Sequence, residues 1–167
     1  MAGRTFLLTM ELNKQGRVVG SSRRREGDLD FSTGMECHGF NYEVLTQIDP
    51  GHGGPVGRRK HSPITIKKTV DSSSPKLFQA LCTNEAFKIA TLSFNRIDPG
   101  GKPIPIRRIE LTNGFIVAVK PGGKWERPGG MQWERARAMQ WEYVTIDYGD
   151  IAVDGLPNAM IPPSMLG

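Results

Sequence analysis

Three histidines, His38, His52 and His61, and two cysteines, Cys37 and Cys82, are the side chains here best suited to acid–base, nucleophilic or metal chemistry. No histidine stands at the spacing that metal ligation or a nucleophile elbow requires. The cysteines lie far apart, without a second pair or a companion histidine spacing, so they imply neither a zinc site nor a disulfide framework. They read instead as small buried apolar residues of a protein in a reducing compartment. Carboxylates are dispersed, and Glu110 with Glu142 is the one pairing worth naming, although nothing in the sequence brings them together. The glycine-rich run 51–57 lacks the Lys-Ser/Thr of a phosphate-binding loop, and no helical pattern follows it. No catalytic residue, metal ligand or cofactor is therefore expected, and the candidates that remain are contact residues.

These candidates belong to a chain punctuated into strands. Residues 5–12 read as a first strand and 16–22 as its return, followed by a charged, solvated stretch over 23–30. From Met35 to Thr46, Phe40, Tyr42 and Val44 share one parity, and period-two alternation puts them on one strand face. Ile64 and Ile66, alternating with Thr65 and Lys67, mark another strand. In 87–95 the apolar parity changes between Ile89 and Leu92, which implies a bulge or burial on both faces. Ile109, Leu111, Phe115, Val117 and Val119 hold one parity along a long strand, as do Val144, Ile146 and Tyr148 along the last. Ile48-Asp49-Pro50-Gly51 recurs as Ile97-Asp98-Pro99-Gly100, the same turn chemistry used twice.

One segment breaks this pattern. After Asp71, the run Ser72-Ser73-Ser74-Pro75 can open a helix, with Ser73 or Ser74 accepting from its free amides and Pro75 in the first turn. Leu77, Phe78, Leu81 and Cys82 form the apolar stripe, and Asn84 can take the left-handed turn that stops the helix. A short helix from about Pro75 to Thr83 is marginal alone and must dock on a sheet. The expected fold is mainly β: an antiparallel barrel or sandwich with one short helix.

Two loops carry the contact candidates. Residues 49–60 hold Asp49, Pro50, His52, Arg58, Arg59 and Lys60; residues 121–137 hold Trp125, Arg127, Trp133 and Arg135. Both loops are too long and glycine-rich for tight hairpins, and their Trp, Arg and His content suits an interface between subunits. Trp125, Trp133 and Trp141 recur every eight residues. If extended, the segment presents all three on one face for a neighbouring chain; alternatively Trp141 is core and the other two cover their own loop.

The chain's 167 residues fit one domain, 1–167, able to bury about 70% of the surface its unfolded form exposes, with a loose tail from about residue 156. Twenty-two basic against seventeen acidic side chains give a net +5, scattered in short runs, which fits a solvated surface better than a nucleic-acid groove. The apolar run Phe6-Leu7-Leu8 is broken by Thr9 and Glu11, too short for a signal peptide or membrane span. Neither a membrane nor a nucleic-acid partner is expected.

Taken together, Ile64-Thr65-Ile66-Lys67-Lys68 and the Asp-Ser-Ser-Ser-Pro turn into Lys76-Leu77-Phe78-Gln79-Ala80-Leu81 resemble the signature segment of the haemolysin-coregulated proteins, the Hcp family of type VI secretion tube subunits. The likeness runs back through His38-Gly39-Phe40-Asn41-Tyr42-Glu43-Val44 and Arg58-Arg59-Lys60-His61. It runs forward through Ala90-Thr91-Leu92-Ser93-Phe94 and Ile109-Glu110-Leu111 to Glu142-Tyr143-Val144-Thr145-Ile146-Asp147-Tyr148. Residues 23–30 and 122–137 depart from the family pattern. The resemblance implies a two-sheet β-barrel assembling as hexameric rings that stack into a tube inside a contractile sheath, carry effectors in the lumen and bear a spike protein at the tip. It implies no enzyme activity, assembly in the cytoplasm and secretion without a signal peptide. A phage-like tail-tube subunit, which would pass DNA, and a monomeric nucleic-acid-binding β-barrel are the alternative readings.

Overall fold

The computed structural model describes residues 5–121 and 141–154; the side chains at 44–47, 55–60 and 121 lie outside the description. The tail from about residue 156, and Trp125, Arg127, Trp133 and Arg135, therefore also lie outside it. In chain order the elements are β1 (Phe6–Leu12), β2 (Gly16–Val18), β3 (Arg25–Glu26), β4 (Leu29–Asp30), a 3-10 turn (Phe31–Thr33), β5 (Met35–Asn41), β6 (Val44–Ile48), β7 (Pro55–His61), β8 (Ile64–Thr69), α1 (Ser74–Thr83), β9 (Ala86–Ile97), β10 (Pro103–Pro121), β11 (Trp141–Asp147) and β12 (Asp150–Val153).

The main sheet runs β11-β8-β5-β1-β9-β10, and β10 also pairs with β11, so the sheet closes on itself as an antiparallel barrel. Closure leaves these strands no open edge. β2 extends β1, β12 extends β10, and β6–β7 forms a two-stranded sheet of its own. Alternation fills the interior: Leu8, Met10 and Leu12 from β1, Ile64 and Ile66 from β8, and Val144 and Ile146 from β11 are all buried. Each such side chain contributes about 1.5–3 kcal/mol of hydrophobic free energy when fully buried. The mainly β fold with one helix is as expected, and β11 runs inward through Val144 and Ile146, although it ends before Tyr148 and is followed by a further strand, β12.

Several local expectations are corrected. The strand expected over 35–46 is two strands: the chain breaks at Tyr42 and Glu43, and Val44 opens β6. A register shift between Cys37 and Gly39 adds His38 opposite β8. On β10 the parity changes at Asn113 (φ 54) and Gly114. A Cβ on Gly114 would lie 2.2 Å from the Asp147 carbonyl oxygen and 2.4 Å from Phe87 Cζ. The strand turns its faces over there, so Ile109, Leu111 and Ile116 point inward while Phe115 and Val117 are exposed. In β9, Lys88 is an extra residue between Phe87 and Ile89, and Ala90, Thr91 and Leu92 are buried consecutively, so both readings of its parity change hold. Cys37 is buried and burial pushes its thiol up, but Cys82 is exposed, against expectation.

The helix packs over β10 through Leu77, Ala80 and the half-buried Leu81, an i, i+3, i+4 stripe. Phe78 and Cys82 lie one position round from that stripe and face outward, so neither belongs to the docking face. Asn84 stops the helix in the left-handed region at φ 54, ψ 39, and Pro75 sits in the first turn. The cap is not the one expected from the serines. Ser73 occupies the N-cap position without a side-chain bond to a helix amide, because its hydroxyl donates to Asp71 Oδ1. Ser74 is the first helical residue, and its Oγ accepts from the Asp71 amide at 3.0 Å rather than from the helix.

The charged stretch 23–30 is a miniature hairpin, β3–β4. Its turn meets the β9–β10 turn: the Asp28 amide donates to the Gly101 carbonyl at 2.8 Å, and Gly27 takes φ 57 against it. Arg24 ties its base to the barrel through Glu36 at 2.5 Å.

Candidate functional site

The first group of candidate contact residues is brought onto one hairpin. Residues 49–60 are not an irregular loop, because Pro55–His61 pairs with Val44–Ile48; only Asp49 to Gly54 form the turn. Asp49 organises that turn. Its Oδ1 accepts the Gly51 amide at 2.8 Å, its Oδ2 lies 2.6 Å from His52 Nδ1, and its backbone closes the turn with Gly53 and Gly54. The Gly51 amide, then His52, hold the Asp49 carboxyl below its ordinary value. Pro50 and His52 are exposed at the tip, as is Ile48 at its foot. Arg58 and Arg59 stand with Gly57 opposite the single residue Thr46, so they occupy a bulge of β7, and Lys60 pairs with Leu45. The bulge bends this hairpin and adds twist.

At its root the hairpin meets an aromatic end of the barrel. His61 lies against Tyr42 and Tyr148, and beside them Phe6 stacks on Phe94 at 4.6 Å with Phe40 at 4.9 Å from Phe94. Of the evenly spaced tryptophans only Trp141 is described, and it is not core. It lies on the outer face of β11, edge-on to His38 at 4.7 Å and under Lys67 Nζ at 4.7 Å. Whether it shares a face with Trp125 and Trp133 is a matter for residues outside the description.

The opposite end carries a charged network in which the carboxylates pair with a lysine and not with each other. Glu142 has no contact with Glu110, which pairs with Arg108 at 2.9 Å. Lys68, fully buried, bonds Glu142 Oε1 at 2.6 Å, the Thr69 carbonyl at 2.8 Å and Asp71 Oδ1 at 3.3 Å. Ser74 Oγ donates to Glu142 Oε1 at 2.6 Å, joining the helix to the same carboxylate. Asp71 also accepts the Ser73 amide at 2.8 Å and the Ser21 amide at 3.2 Å. Burial alone would raise the Asp71 carboxyl; the Ser73 hydroxyl, the Lys68 ammonium and the backbone amides outweigh it and hold the group below its ordinary value. The signal was present in the sequence. Lys68 shares the inward parity of Ile64 and Ile66, and Glu142 that of Val144 and Ile146.

The ammonium and both carboxylates of this constellation are engaged with each other, and three elements are thereby locked together. Among the described residues no group of three His, Cys, Asp or Glu could hold a metal ion, and no helix is long and apolar enough to cross a membrane. Several arginines are paired with carboxylates, Arg25 with Asp30, Arg107 with Asp154 and Arg108 with Glu110, which dilutes any anion-attracting field.

Comparison with known proteins bears on this architecture directly. The family model described as "Type VI secretion system effector, Hcp" matches residues 11–154. A Pseudomonas aeruginosa protein described as "Major exported protein" is 34% identical over 82 residues, 49% of this chain; the match spans about half of that relative, 48% of its length. Among solved structures, an Hcp protein of E. coli EAEC 042 superposes with a TM-score of 0.71 at 23% identity, over 92% of this chain and 93% of the other. The secreted Hcp3 of P. aeruginosa gives 0.61 at 21% over 89% and 87%, and an Hcp protein of Salmonella typhimurium gives 0.60 at 12% over 90% and 85%. At these identities the solved structures establish the shared barrel fold, while the family model runs from the end of β1 through β12. The chain belongs to the Hcp family of type VI secretion system proteins.

Proposed function

We propose that this chain is a structural tube subunit of a type VI secretion system: hexameric rings of it stack into the inner tube, carry effectors in the lumen and are expelled with them. The observation that carries the reading is the family match over residues 11–154, laid on a closed barrel that keeps the 49–54 turn outside its own sheet. The contractile sheath around the tube and the spike at its tip are the further partners of this reading. The cytoplasm is the place of assembly and the extracellular space or target cell the destination.

Ring closure satisfies a heterologous interface without producing endless fibres. Asp49, Pro50, His52, Arg58, Arg59 and Lys60 on the hairpin, with Trp125, Arg127, Trp133 and Arg135, are the contact residues of this proposal. Phe78 on α1 and Phe115 and Val117 on β10 are exposed apolar side chains that suit the same use. The chain has no catalytic role in this reading, since the buried charges are engaged in holding the helix to the barrel.

Light scattering in moderate salt and negative-stain images test it. Closed rings of six with a central opening, and appearance of the protein outside the cell only when a contractile apparatus is active, are expected. A strictly monomeric chain at tens of micromolar would overturn the tube reading. DNA passing through such rings would point to the phage-like tail tube, and tight salt-sensitive binding of nucleic acid by a monomer would point to the binding barrel.

A further inference from the structure

His61 is the last residue of β7, and its register partner Val44 is the first of β6, so the imidazole sits at the root of the hairpin. Its ring lies 6.5 Å from that of Tyr42 in a stacked arrangement and 6.4 Å from that of Tyr148, edge-on. Nδ1 is 3.3 Å from the Tyr42 hydroxyl, and the Tyr148 hydroxyl donates to the carbonyl of the next residue, Ser62, at 3.1 Å. Nε2 is buried and has no hydrogen-bond partner among the described residues.

A neutral imidazole fits this setting. With its proton on Nδ1, donated to the Tyr42 oxygen, Nε2 holds only a lone pair. The imidazolium carries N–H on both nitrogens, so protonation places a donor without an acceptor, and a charge, inside the aromatic end of the barrel. Among the described residues the titratable groups facing the ring are Tyr42, between β5 and β6, and Tyr148, after β11; burial raises both, so they stay neutral. Asp147 acts on Tyr148, and Glu43, whose carbonyl accepts the Ser62 amide, has an exposed side chain. Burial moves the His61 imidazole below its ordinary 6.5, and among the described residues no carboxylate offsets it.

We propose that the His61 imidazole is an acid-release latch: protonation frees the β6–β7 hairpin from the barrel end. The consequence for assembly, that mild acid withdraws the 49–54 turn from neighbouring subunits, rests on the tube-subunit reading. The sign follows from the direction of the shift. The docked root binds fewer protons than the released one, so docking is at full strength above about pH 6.5. It weakens as pH falls below that value, by up to about tenfold per pH unit until the folded-state pKa is passed.

Hydrogen exchange of the wild-type protein, corrected for intrinsic rates and read at about pH 7.5 and about pH 5.5, tests the latch. Hairpin amides should lose severalfold, and at most about tenfold, of their protection at the lower pH while the core amides of β1 and β9 keep theirs. His61→Phe, which keeps an uncharged ring, should abolish the difference; His61→Gln, also uncharged, is the second variant should Phe not fold. Equal hairpin protection at both pH values in the wild type, or an unchanged pH response in the uncharged variants, overturns the proposal. Light scattering on the same samples separates the two readings. Acid-sensitive hairpin amides in a chain that never forms rings would leave the latch standing and sink the tube subunit.

Discussion

Lys68 and Glu142 stand directly opposite each other in the β8–β11 ladder, both pointing into the barrel, with Nζ 2.6 Å from Oε1. The two side chains are 0% and 7% exposed, so neither charge has water to fall back on. Removing one partner leaves the other charge buried and unpaired, which costs about 3–5 kcal/mol, whereas replacing both with apolar groups of similar volume is often neutral or stabilising. Lys68→Met and Glu142→Leu should each lower the urea midpoint by about that free energy, and the double variant should recover most of it. Single variants within about 0.5 kcal/mol of wild type would show that the pair contributes nothing.

The same network sets an acid limit. Asp71 is held below its ordinary carboxyl pKa in the folded state, so the folded chain binds fewer protons there than the unfolded one. Its contribution is fully present above about pH 4 and is lost as pH falls through the folded-state value. Melting temperatures followed from neutral pH downward should fall less steeply between about pH 4 and pH 2 for Asp71→Asn than for wild type. Identical slopes would mean that the Ser73 and Lys68 contacts do not persist in solution.

Gly114 is a position where space decides the outcome. It lies where β10 turns its faces over, and a methyl group there meets both the Asp147 carbonyl and the Phe87 ring at less than 3 Å. Backbone cannot yield as a flexible side-chain end can, so Gly114→Ala should cost about 1–3 kcal/mol in thermal or urea unfolding. A variant as stable as the wild type would show that the β10–β11 approach is looser than this.

Where the sequence was a good guide, alternation and turn chemistry agreed with packing. Ile64 with Ile66, Val144 with Ile146, and Asn84 at the helix stop sit where spacing alone puts them. It misled where one residue changes the parity of a strand. Asn113 adopts a positive φ and Gly114 admits a close carbonyl, so Phe115 and Val117 leave the face that Ile109 and Leu111 share. It also misled where a side chain has two uses: spacing makes the cap serines acceptors for helix amides, but Asp71 takes the Ser73 hydroxyl and Glu142 takes that of Ser74. The buried network was legible in principle, as two charges on inward parities, but a search for paired carboxylates looks for the wrong partner. The contact residues were legible only as composition, since no intrachain pattern states what a surface will meet.

The hairpin offers the cleanest separation of fold from assembly. Ile48 and Pro55 are its last register pair, and the six residues between them bond chiefly to one another through Asp49. Replacing 49–54 by Asn-Gly would leave a two-residue turn of the kind that matches the twist of the flanking strands. Because β6–β7 shares no ladder with the barrel, the core should not register the change, and the circular-dichroism spectrum and melting temperature should stay close to wild type. If the exposed Pro50 and His52 meet neighbouring subunits, the shortened chain should instead lose rings or ring stacks at concentrations where the wild type forms them, by roughly tenfold or more for a contact of about 1.4 kcal/mol. Sedimentation across a concentration series reads that shift. Unaltered assembly by the shortened chain would remove the hairpin tip from the interface and leave the β7 bulge at 58–60, the exposed Phe78, Phe115 and Val117, and residues 122–137 as the remaining candidates.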